Sequence, residues 1–104
     1  MSNLISIVYV STAVDLFSET ELINLLEVSR KNNEAKSITG LLLYARGNFI
    51  QLIEGPEAAI DNLYEKICRD PRHHHLTLLG RQPIAERHFP YWSMGFRNAN
   101  NLSG

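Results

Sequence analysis

The chain predicts an α+β fold of the order β-α-β-β-α-β with an added fifth strand, a mixed sheet carrying two helices on one face. Three observations predict it. Short β-branched runs of period two alternate with two stretches of helical period. A capping-box pattern marks the start of the first helix. A Gly-containing turn joins two adjacent strand runs into a hairpin. This order is the ferredoxin-like arrangement, in which the first and third strands are central neighbours. At 104 residues the chain fits one domain. Residues 1–97 are expected to form it, with 98–104 a polar tail lacking any core-building pattern.

Each element has its own warrant. Leu4–Val10 is an apolar, β-rich run ending at Ser11-Thr12, predicted as β1. Ser18 and Glu21 carry the capping box of α1, where Leu22, Ile23, Leu25, Leu26 and Ser29 fall at helical spacing. Arg30 and Lys31 suit the C-terminal dipole, and Asn32-Asn33 is the predicted terminus. Ile38–Tyr44 and Phe49–Glu54 are β2 and β3. Gly55-Pro56 introduces α2, with Ile60, Leu63, Tyr64, Ile67 and Cys68 on its apolar side, and Asp70-Pro71 ends it. Leu76–Gln82 is β4 and Tyr91–Phe96 is β5.

Composition excludes several classes. Ten basic and eleven acidic side chains leave a net charge of −1, which argues against a general nucleic-acid or membrane-surface binder. One cysteine, Cys68, excludes a disulfide framework or a cysteine-based zinc site, and it reads as a small core residue. His73-His74-His75 has no nearby ligand to complete a tetrahedral site, so no metal is expected and the run reads as a solvated loop. Without a signal-peptide pattern or a long apolar run, the expected location is cytoplasmic.

Gln51 stands out. It is a primary amide inside an otherwise apolar strand, and unpaired burial would cost about 1–3 kcal/mol, so its carbonyl and NH₂ both need partners. With Gln51 toward the helices, Phe49 and Ile53 follow it and Ile50 and Leu52 point away. Tyr9 can then stand beside Gln51. The opposite face shows Val8, Val10, Ile50 and Leu52, too apolar to be left wet, so a homodimer through that face is expected.

Taken in order, Tyr9, Asn32-Asn33, Thr39-Gly40, Gln51-Leu52-Ile53-Glu54-Gly55, Asp70-Pro71-Arg72-His73-His74 and Trp92-Ser93-Met94 resemble the BLUF family of blue-light sensors that use a flavin. The resemblance runs from about Leu4 to Phe96. It implies a photosensory domain that binds FAD non-covalently, with FMN or riboflavin also compatible. Tyr9 matches the electron and proton donor, and Gln51 the amide between that tyrosine and the flavin. Asn33 and Asn32 match residues at the pyrimidine edge, and Leu25 and Ile67 the aliphatic walls. Phe49 joins the cofactor-binding set on the face of Gln51. Lys31 and Lys66 lie where cations can meet the flavin phosphates. Trp92 and Met94 match signalling residues near the glutamine, on a shared face of β5, with either one inward in darkness.

Read singly, these residues have plainer meanings. Tyr9 would be a core tyrosine, Asn32-Asn33 a helix cap, Leu25 and Ile67 core packing, and Trp92 and Met94 edge packing. The rival functions are a flavin-dependent oxidoreductase and an acylphosphatase-like hydrolase. The oxidoreductase lacks a pyridine-nucleotide fingerprint. The hydrolase lacks a glycine-rich anion loop after β1, where Ser11-Thr12-Ala13-Val14-Asp15 stands. No effector catalytic motif is present, so the signal is expected to leave through a dimer or an unknown protein partner.

Overall fold

Alternating burial along the strand runs organises a single sheet. The computed structural model describes residues 3–13, 18–71 and 73–98, with the side chains of residues 73, 74 and 98 outside the description. The expected tail beyond Asn98, the segment 14–17 and Arg72 also lie outside it. The elements are β1 (Leu4–Ala13), α1 (Glu19–Ala35), β2 (Thr39–Ala45), β3 (Asn48–Pro56), α2 (Glu57–Arg69), β4 (His73–Pro83) and β5 (Gly95–Asn98). The strand order is β4-β1-β3-β2-β5. β1 and β3 are central and antiparallel, while β5 runs parallel to β2, so the sheet is mixed as expected.

The odd-numbered positions of β1 and β3 face the helices. Ile5, Ile7, Tyr9, Phe49 and Ile53 share one buried cluster with Leu22 and Leu26 of α1 and Ile60 of α2. Val8, Val10 and Leu52 on the far face are half-buried, and Ile50 is 45 % exposed. The capping box of α1 is formed: Ser18 Oγ accepts from the Glu21 N–H at 3.1 Å and Glu21 Oε1 accepts from the Ser18 N–H at 3.0 Å. The Ser18 N–H, and after it the Ser18 hydroxyl, hold the Glu21 carboxyl below its ordinary pKa.

Four expectations need correction. α1 does not stop at Asn32-Asn33 but runs on to Ala35. The Asn33 carbonyl accepts from the Lys36 and Ile38 N–H groups, and Ser37 turns the chain at φ 60°. β5 begins at Gly95, not Tyr91, so Trp92 and Met94 precede the strand instead of sharing one of its faces. The cause lies in competing donors. The Trp92 carbonyl accepts from the Gly40 N–H at 2.9 Å, the Ser93 carbonyl from Asn33 Nδ2 at 2.6 Å and the Met94 carbonyl from Arg30 Nε at 2.9 Å. The histidine run opens β4 opposite Thr12 and Ala13 instead of forming a loop. Cys68 is exposed on α2, not a core residue.

Candidate functional site

Register creates the central pair. Tyr9 and Gln51 are direct partners across β1 and β3, on the helix-covered face, as expected for a Gln51 turned toward the helices. The Tyr9 hydroxyl donates to Gln51 Oε1, and Gln51 Nε2 donates to Met94 Sδ at 3.4 Å. Both Tyr9 and Gln51 are buried. Burial is the main cause that pushes the Tyr9 phenol well above its ordinary pKa, with Tyr64, Cys68 and Asp70 adding to it. The hydroxyl is therefore a neutral donor throughout the physiological range. The Tyr64 ring meets Tyr9 edge-on, with centroids 5.9 Å apart.

Above this pair lies a cavity of about 700 Å³ between α1 and α2. Its floor is Tyr9, Leu42, Phe49 and Gln51; α1 contributes Leu25, Val28, Asn32 and Asn33, and α2 contributes Leu63, Lys66 and Ile67. Nearly all the expected cofactor residues thus meet in one place. Lys31 is exposed on α1 and is not among the lining residues. Lys36 instead stands beside Lys66, whose side chain is the main cause that lowers the Lys36 pKa. Sequence reasoning missed Val28, Ser29 and Leu63. Val28 and Ser29 follow Leu25 at intervals of three and four, and Leu63 precedes Ile67 by four, so helical spacing from the two expected wall residues could have found all three.

The slot fits a flat apolar ring with a polar edge. Leu25, Leu63 and Ile67 are aliphatic walls, and Val28 is 59 % exposed although it faces the cavity. Such apolar surface gains from being covered. At the polar edge Asn32 and Asn33 supply amides, and a thioether is a weak acceptor, which leaves the Gln51 NH₂ with capacity to spare. The two residues expected near the glutamine are placed differently. Met94 is 2 % exposed and faces Gln51; Trp92 is 50 % exposed and stacks on Phe89 at 5.2 Å and 18°.

A ferredoxin-like sheet with an amide-edged, aliphatic-walled slot beside a buried Tyr–Gln pair defines a flavin-binding sensor class. The model of the family "BLUF: Sensors of blue-light using FAD" matches residues 4–95, and the chain belongs to that family. It is 40 % identical over 89 residues to the photoactivated adenylate cyclase subunit beta of Euglena longa. That alignment covers 86 % of this chain and 10 % of the relative, so the chain spans about a tenth of that protein's length. The dark-state structure of the BLUF protein BlrB superposes with a TM-score of 0.91 at 36 % identity, covering 98 % of this chain and 77 % of that one. Klebsiella pneumoniae BlrP1 with FMN and cyclic diGMP gives a TM-score of 0.85 at 30 % identity, covering 91 % of this chain and 26 % of that one. The chain forms a flavin-binding blue-light photoreceptor domain. Among the described residues no helix is long and apolar enough to cross a membrane.

Proposed function

We propose that the light signal is generated at the Tyr9–Gln51 pair and passed to Met94. The observation that carries this reading is the continuous chain from the Tyr9 hydroxyl through the Gln51 amide to the Met94 sulfur, at the floor of the slot. The flavin, when bound, supplies blue-light absorption and an oxidising excited state. Tyr9 would give an electron to that excited state and its hydroxyl proton to Gln51 Oε1, which already accepts that hydrogen. Gln51 would release a proton from Nε2 toward the ring, so that the amide stays neutral and ends in a new hydrogen-bonded arrangement. An amide suits this role because rotation or tautomerisation exchanges donor and acceptor without creating net charge. Leu25 and Ile67 sandwich the ring, Asn32 and Asn33 hold its pyrimidine edge, and Phe49 completes the floor. Lys66, with Lys36 beside it, favours a phosphate-bearing flavin, FAD or FMN, over riboflavin. The purified protein should be yellow and should show a reversible shift of flavin absorption to longer wavelength under blue light. A colourless protein, or one whose spectrum light does not move, would sink the reading.

The same proposal assigns residues 1–97 to the sensor unit, in the cytoplasm, with no effector chemistry of their own. Output then needs an interface. Val8, Val10, Ile50 and Leu52 support a homodimer through the far sheet face, since each fully buried aliphatic side chain is worth about 1.5–3 kcal/mol relative to exposure. Ile50→Lys should weaken the dimer and leave the flavin spectrum nearly unchanged, as read by sedimentation against concentration. A parent protein that stays monomeric at high concentration would rule the dimer out and leave a protein partner as the cover.

A further inference from the structure

Glu54 is fully buried, yet it lies outside the flavin slot. It stands three residues after Gln51 on β3, so the two side chains leave opposite faces of the strand. A carboxyl group so placed is tolerated only when its oxygens are well supplied with donors. Oε1 accepts from the Phe89 N–H at 2.6 Å and from Thr39 Oγ1 at 3.3 Å. Oε2 accepts from the His88 N–H at 2.9 Å and lies 3.4 Å from His88 Nδ1. Two successive backbone N–H groups aimed at one carboxylate form a small anion cradle. Arg87 secures the same corner, donating to the Glu54 main-chain carbonyl at 3.0 Å, to Thr39 Oγ1 at 2.9 Å and to the Ser37 carbonyl at 2.6 Å.

Together with Arg87, the cradle fixes the start of the segment that ends at Met94. Phe89, held by its N–H, stacks on Trp92. The Trp92 carbonyl is held by the Gly40 N–H, and a Cβ at Gly95 would collide with the Trp92 ring, so the indole is confined on that side too. Ser93 and Met94 are then held by Asn33 and Arg30, and the Met94 sulfur meets Gln51. β3 therefore grips both ends of one segment, with Glu54 at its start and Gln51 at its finish.

We propose that Glu54 is a positioning residue for the photoreaction: by fixing the start of the 87–94 segment it sets where Met94 meets Gln51, and so sets the rate at which the dark arrangement is regained. The proposal rests on the Tyr9–Gln51 reading above. Once light has rearranged Gln51, the dark contact returns only if Met94 is presented at the right place, and a loosened segment presents it for a smaller fraction of the time.

The test uses Glu54→Gln, which keeps the side-chain shape but turns one acceptor into an NH₂ facing N–H donors. The variant should bind flavin as the parent does and still show the red shift, while its dark recovery slows about fivefold, the scale expected for one lost buried hydrogen bond. Trp92 fluorescence in the dark should shift toward that of a more mobile indole. In a Met94→Leu background, Glu54→Gln should produce little further slowing, because the two act through one contact. A variant with a lower Tm but parental recovery would reduce Glu54 to a stability role and overturn the proposal, as would fully additive slowing with Met94→Leu. If Glu54→Gln does not fold, Thr39→Val removes a single donor from the cradle; it should slow recovery in the same direction, and parental recovery there is equally fatal. A parent protein without any red shift would instead sink the Tyr9–Gln51 reading itself.

Discussion

Tyr9→Phe should bind flavin and lose the light-induced red shift completely. The substitution keeps the aromatic ring against Tyr64 and removes only the hydroxyl that donates to Gln51 Oε1. Gln51→Leu should do the same from the other side, since leucine has neither an acceptor for the Tyr9 hydroxyl nor a donor for Met94. The two differ in stability. Tyr9→Phe leaves the Gln51 carbonyl without its partner, at a cost of about 1–3 kcal/mol. Gln51→Leu leaves the buried Tyr9 hydroxyl unpaired at a similar cost, partly offset by the apolar surroundings of Phe49 and Ile53. Light-minus-dark absorption at matched flavin occupancy reads the photochemistry, and thermal melts read the stability. Two variants that photocycle like the parent would show that the relay runs elsewhere.

Asn33→Ala carries the second-largest effect, on flavin affinity. Asn33 lines the slot from α1 and is buried, and its Nδ2 donates to the Ser93 carbonyl. Losing a polar anchor at the ring edge should weaken flavin binding by about 1–3 kcal/mol, or roughly 5- to 150-fold in Kd. The Ser93 carbonyl also loses its donor, so the segment carrying Met94 should loosen even in flavin-free protein. Titration of the flavin-free form by fluorescence quenching separates the two consequences, because Trp92 emission reports the second without any ligand. Parental affinity in Asn33→Ala would remove this residue from the ring edge and leave it only the role of holding Ser93.

The fold was legible because its local signals agreed with one another. The capping box at Ser18, the hairpin between β2 and β3 and the period-two faces of β1 and β3 were all local patterns, and the β1–β3 pairing followed from the element order. Tyr9 and Gln51 were legible for the same reason: two strands of known face leave few places for a polar side chain. The far end of the site was not. Tyr91–Phe96 has the residues of a strand, but its carbonyls at 92, 93 and 94 are taken by Gly40, Asn33 and Arg30 from distant parts of the chain. No window of sequence carries that competition. Likewise, Asn33 resembled a helix terminus because asparagines favour such positions, whereas here its side chain is occupied with Ser93 and the helix continues to Ala35. Glu54 lay in plain view within Gln-x-x-Glu-Gly, yet nothing local distinguishes a buried cradle from an exposed strand end.

The central claim is that Gln51 changes its hydrogen bonding when Tyr9 reacts. The chain contains two glutamines, Gln51 and Gln82, and Gln82 is exposed on β4. Isotopic labelling of the glutamine side-chain amide therefore isolates Gln51 as the buried member of a pair. Light-minus-dark infrared difference spectra of labelled and unlabelled protein test the claim most directly. The account predicts a label-sensitive amide carbonyl band that shifts on illumination, returns with the same time course as the visible absorption, and is absent in Tyr9→Phe. A visible red shift with no label-sensitive glutamine band would contradict it.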